Sequence, residues 1–121
     1  MANFVVMVTT PPYSHLTATA LEFCRSLVAS EHTLTGVFFY QDGVLNAAQN
    51  QLVASDEFNA LSQWQTLHQQ HQIPLHLCIT AAEKRGLSDE NALSLANSDF
   101  VISGLGQFAE MSIDADRVIQ L

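Results

Sequence analysis

Positive charge is scarce in this chain: four Lys and Arg stand against twelve Asp and Glu, a formal net charge of −8. A surface of that sign repels a phosphate backbone, so direct nucleic-acid binding is not expected. Long apolar runs are also missing. The amino-terminal run is only Phe4–Val8, no basic segment precedes it, and nothing approaches the roughly 18 apolar residues that would span a bilayer. A cytoplasmic protein with no membrane partner is the expectation. Cysteine is limited to Cys24 and Cys78, which form neither a CxxC pair nor half of a Cys/His zinc pattern. No disulfide framework, cofactor or metal is therefore expected, and both residues read as free thiols. Proline is limited to Pro11, Pro12 and Pro74, all where elements begin or end, and no repeat, low-complexity stretch or linker interrupts the sequence.

What is present is enough apolar material for a core: 48% of 121 residues are hydrophobic, which predicts a single domain over residues 1–121. Short apolar runs alternate with helical patterns. "FVVMV" (Phe4–Val8) reads as a strand buried on both faces, followed by a helix capped by Ser14 with Leu16, Ala20, Phe23, Leu27 and Val28 on its apolar stripe. Thr33–Tyr40 predicts a second strand. A second helix follows over "DEFNALSQWQTLHQQH", with Phe58, Leu61, Trp64 and Leu67 on one stripe, and then a third strand, "PLHLCI". Asp99–Ser103, the helix "GQFAEMSI" and the strand "DRVIQL" complete the pattern. This alternation predicts an α/β fold, a three-layer α/β/α sandwich around a mainly parallel five-stranded sheet.

Ligands and catalytic groups in such sheets gather beyond the carboxyl ends of the strands. Cys78 stands at that end of the third strand. Two readings apply to it. It is a small core hydrophobe, or it is a nucleophile at the start of the helix "TAAEKRG", with Lys84 and Arg85 nearby to favour the thiolate. Cys24 falls in mid-helix and reads as packed. His76 shares a strand face with Cys78, but two residues of rise, about 6.6 Å, separate a pair that would need help to form a direct hydrogen bond. His68 and His71 lack a third metal ligand and read as a solvated helix face. "SGLGQFA" fits G-x-G-x-x-A after a strand, as in a dinucleotide-binding turn, but no acidic residue follows about twenty positions on. The plainer expectation there is a turn whose glycines let backbone approach a neighbouring strand or subunit. Phe38–Ala47, "FFYQDGVLNA", reads as a loop over the sheet's end, with Tyr40, Val44 and Leu45 exposed to dock a partner or shield the thiol. A chain this small with such a loop is expected to form a homo-oligomer.

Four segments in order, "FFYQDGVLNA", "LVASDEF", "CITAAEKRG" and "SGLGQFAEM" with "DRVIQL", resemble the DsrE/TusD family of sulfur-relay proteins over essentially the whole chain. The stretch Asp89–Phe100 is shorter than in that pattern. The resemblance implies an α/β sandwich and a sulfurtransferase whose catalytic cysteine, here Cys78, accepts sulfane sulfur as a persulfide. It also implies TusB-like and TusC-like companions in a heterohexamer, and donor and acceptor carrier proteins on a route to 2-thiouridine at the tRNA wobble position. Related members serve intracellular sulfur oxidation. A non-catalytic assembly subunit is the alternative from another class, with small-ligand binding at Gly104–Ala109 a further one.

Overall fold

The computed structural model describes residues 2–49, 51–87 and 97–121, and the short stretch singled out at Asp89–Phe100 lies mostly outside them. The elements run β1 (Asn3–Val8), α1 (His15–Val28), β2 (Thr33–Phe39), a 3₁₀ segment (Gln41–Ala47), α2 (Ala60–His71), β3 (Leu75–Cys78), α3 (Ile79–Lys84), β4 (Phe100–Ser103), α4 (Leu105–Asp114) and β5 (Arg117–Gln120). The five strands form one parallel sheet in the order β4-β3-β2-β1-β5. The expected fold class is what is observed.

Register assigns the two faces. Met7 pairs with Phe38 and Val8 with Phe39, so alternate residues of each strand share a face. Phe39 packs edge-on against Trp64 of α2 at 4.9 Å between ring centroids, and Phe4 meets Phe23 of α1, so α1 and α2 cover one face. Phe38 meets Phe108 at 5.2 Å, which puts α4 on the other face. Gly36 makes that approach possible: a Cβ there would lie 2.7 Å from Met111 Cε.

Two expected patterns are displaced. The buried stripe of α1 is Thr17, Ala20, Leu21, Cys24 and Leu27, while Leu16 is exposed. A polar residue takes the core-facing place because the Thr17 hydroxyl donates to the carbonyls of Pro11 and Thr10, so its burial leaves no orphan group. Ser14 does cap the helix, accepting from the Leu16 amide. In the second helix Asn59 is the cap and Phe58 lies outside, exposed, so the stripe begins at Ala60.

The largest departure is Phe38–Ala47. Instead of an exposed loop, the chain forms a 3₁₀ segment pressed onto the sheet's end, with Gly43, Val44, Asn46 and Ala47 buried. Gly43 is required there because a Cβ would sit 2.0 Å from the Val8 carbonyl oxygen. Asn46 makes the burial possible: its amide donates to Thr10 and Gly43 carbonyls, and its carbonyl oxygen accepts from Trp64 Nε1 at 3.1 Å. Val44 belongs to the core, and the expectation of oligomerisation through this loop loses its basis.

Candidate functional site

Cys78 is the last residue of β3 and the N-cap of α3, in extended backbone, so the strand-to-helix turn fixes its position. Its side chain lines a recess of about 350 Å³ together with Tyr40, Gln41, Thr80, Lys84 and Leu105. The recess lies where three elements converge: the 3₁₀ segment, α3 and the start of α4. Yet Cys78 is only 1% exposed, so the thiol at this strand end is a covered one, as the core reading has it, although it lines the recess. Of the two roles suggested for Phe38–Ala47, shielding matches this geometry, since Tyr40 and Gln41 form part of the wall. Gln41 carries a φ of 52°, a left-handed conformation uncommon outside glycine and frequent where a loop is held against a site.

The basic pair does not act as expected. Arg85 is committed to Asp42, with Nε and Nη2 at 3.0 and 2.9 Å from Oδ1, and it also donates to the Ala81 carbonyl. Its charge is spent in tying α3 to the 3₁₀ segment across the recess, which leaves Lys84 as the exposed cation of the pair. Sequence reasoning missed this clasp, because Asp42 and Arg85 are 43 residues apart and only the fold brings them together.

Cys24 is wholly buried, and burial pushes its thiol up to about 12, with the Arg25 charge offsetting only part of that. It behaves as the packed residue expected. His76 and Cys78 share the α4 face of the sheet, and His76 Nδ1 is 2.9 Å from the Ser103 hydroxyl. Burial lowers the His76 pKa below its usual 6.5. His68 Nδ1 contacts the Ile73 carbonyl at 2.9 Å, which gives that histidine a place in the helix terminus. Among the described residues no group of three metal-binding side chains occurs.

At Gly104–Ala109 the glycines do not accommodate a close neighbour. A Cβ on Gly106 would meet nothing within 4 Å, and one on Gly104 only the Gly106 amide at 4.0 Å. Among the described residues the expected backbone approach does not occur. A larger groove of about 600 Å³ runs between the β1–α1 turn and residues 51–60, lined by Tyr13, Leu45, Leu52 and Phe58 among others, and neither cysteine lines it. No helix among the described residues is long and apolar enough to cross a membrane.

Comparison with known proteins adds three findings. The DsrE/DsrF-like family matches residues 2–121. The sulfurtransferase TusD of Cronobacter sakazakii is 43% identical over 126 aligned positions, covering 98% of each chain. The crystal structure of the ychN protein from E. coli covers the whole of both chains with a TM-score of 0.83 at 24% identity, a likeness of fold.

Proposed function

Because the chain belongs to the DsrE/DsrF-like family, we propose that it is a sulfur-relay sulfurtransferase in which Cys78 accepts sulfane sulfur from a carrier protein, holds it as a persulfide and passes it to the next carrier. The observation that carries this reading is the position of Cys78 at the carboxyl end of β3, lining a recess bounded by side chains of three other elements. A nucleophile there is held by a strand and a helix start, and a persulfide on it has room and cover. The wholly buried Cys24, with its thiol pushed up to about 12, is the poorer nucleophile by comparison.

The route ends in 2-thiouridine at the tRNA wobble position, with intracellular sulfur oxidation as the alternative destination. The charge of −8 favours handover between proteins over holding tRNA. The unit is one cytoplasmic domain over residues 1–121, a homo-oligomer alone and part of a heterohexamer with TusB-like and TusC-like subunits. Exposed apolar residues on the α4 side of the sheet favour assembly.

Mass spectrometry after incubation with a persulfidated carrier tests the chemistry. The wild type and Cys24→Ser should gain one sulfur atom, and Cys78→Ser should gain none while keeping its fold. A second reading, a non-catalytic assembly subunit, draws on the 1% exposure of Cys78. Sulfur on no cysteine of the wild type would favour it.

A further inference from the structure

Cys78 and Ser103 are register partners across the parallel β3–β4 pair, so their side chains leave the same face of adjacent strands, about 4.8 Å apart in the backbone. His76, one alternation earlier on β3, faces the same way, and its Nδ1 contacts Ser103 Oγ at 2.9 Å. The gap of about 6.6 Å along β3 that separates imidazole from thiol is thus flanked by a hydroxyl from the neighbouring strand. A serine can accept one proton and release another in a single exchange.

We infer that His76 and Ser103 form a proton path to Cys78, with Ser103 the group beside the thiol and His76 the base behind it. The inference rests on Cys78 as the sulfur acceptor. When Nδ1 is unprotonated, the Ser103 hydroxyl donates to it and turns its lone pairs outward. The Cys78 S–H proton then passes to Ser103 Oγ as the serine's own proton passes to His76, giving thiolate and imidazolium. The thiolate attacks the terminal sulfur of a donor persulfide, R–S–SH. A new Sγ–S bond forms, the donor S–S bond breaks, and its electron pair leaves on the donor sulfur as R–S⁻. The proton stored on His76 returns through Ser103 to that leaving thiolate, so no outside oxidant or reductant is needed.

The surroundings of His76 suit a base. Phe38 and Val101 are its register neighbours, Gly36 lies beside its ring, and Met111 reaches over from α4. None of these is charged, and the acidic residues of α4, Glu110 and Asp114, are exposed. Burial therefore lowers the His76 pKa and keeps the ring neutral and proton-accepting at pH 7.

Iodoacetamide alkylation of Cys78, followed by peptide mass spectrometry between pH 5.5 and 9, tests the path without a sulfur donor. Ser103→Ala and His76→Asn should each slow alkylation at pH 7 by about tenfold, one unit's worth of thiolate availability. The fall in wild-type rate that accompanies His76 protonation below pH 6.5 should vanish in both. Ser103→Thr, which keeps a hydroxyl, should restore the rate and the profile. Unchanged rates in Ser103→Ala or His76→Asn, an unchanged pH profile, equal loss in Ser103→Thr, or a wild-type Cys78 that does not react would each overturn the path. Sulfur loading is read separately: alkylation as expected without loading from a carrier would refute the relay reading and leave the proton path standing.

Discussion

The two cysteines differ by what surrounds a few atoms. Cys24 is enclosed between α1 and the sheet, and its raised pKa is a statement about stability as well as reactivity. The unfolded thiol ionises near its ordinary value of 9.0, whereas the folded one resists ionisation up to about 12. Stability from this group is complete below pH 9 and declines between the two values, by about 1.4 kcal/mol per pH unit. Urea unfolding at pH 8 and pH 10 should therefore show a larger loss in the wild type than in Cys24→Ala, after both are referred to pH 8. The packed role of Cys24 was legible from its place after Phe23 in a helical stripe. The covering of Cys78 was legible only as one of two roles for Phe38–Ala47, because it is the fold and no local pattern that ties Tyr40 and Gln41 to the end of β3. Ser103 was visible only as the first letter of a glycine-rich turn, since its meaning comes from the β3–β4 register.

Among the elements, the 3₁₀ segment Gln41–Ala47 decides most. The Asp42-Gly43 pair marks a turn after β2, but hydropathy cannot reveal that Gly43 lies against the Val8 carbonyl or that Asn46 would be satisfied in the core. Strands and most helices were legible because short apolar runs and period-3.6 patterns are local, whereas this segment is fixed by contacts with β1, α2 and α3. Asn46→Ala should cost about 2 kcal/mol, since it strands the buried Trp64 indole N–H and takes a donor from the Gly43 carbonyl, while the Thr10 carbonyl keeps the Thr17 hydroxyl. A drop in the urea midpoint at constant slope would show it. Asp42→Ala should act differently. The Asp42–Arg85 pair is partly exposed and worth at most about 1 kcal/mol, so melting should barely move. Releasing the clasp should nevertheless raise Cys78 alkylation about threefold or more, because the covered thiol becomes reachable at small cost in free energy. Equal rates in Asp42→Ala and wild type would remove the clasp as a barrier.

At the scale of the molecule the two faces of the sheet are unequally covered. Among the described residues α1 and α2 pack one face, while α4 lies on the other with no buried residue of its own. Val101, Ile113 and Val118 remain 54%, 82% and 42% exposed there, at the strand edges and along α4. The assembly expectation is thus moved from the 3₁₀ segment to this layer, and a second copy of the chain meeting it face to face would bury all three. Sedimentation at micromolar concentration should show a species heavier than 13.3 kDa, and Ile113→Asp, which alters an already exposed position, should return it to the monomer. A wild type that sediments as a monomer would contradict the proposal.

The pairing of β1 with β5 has a kinetic consequence. Thr9 and Leu121, joined by two hydrogen bonds, are 112 residues apart, and β1 is flanked on that side by nothing else. Every neighbour in an all-parallel sheet must be reached by a crossover, so loop-closure entropy has to be overcome at each step and slow folding follows. Until β5 arrives, β1 offers a bare row of amides and carbonyls between Phe4 and Val8, the most apolar ribbon in the sheet. A nascent or nicked chain lacking residues 117–121 would thus present an adhesive edge to other copies, and its yield in refolding would fall steeply as protein concentration rises.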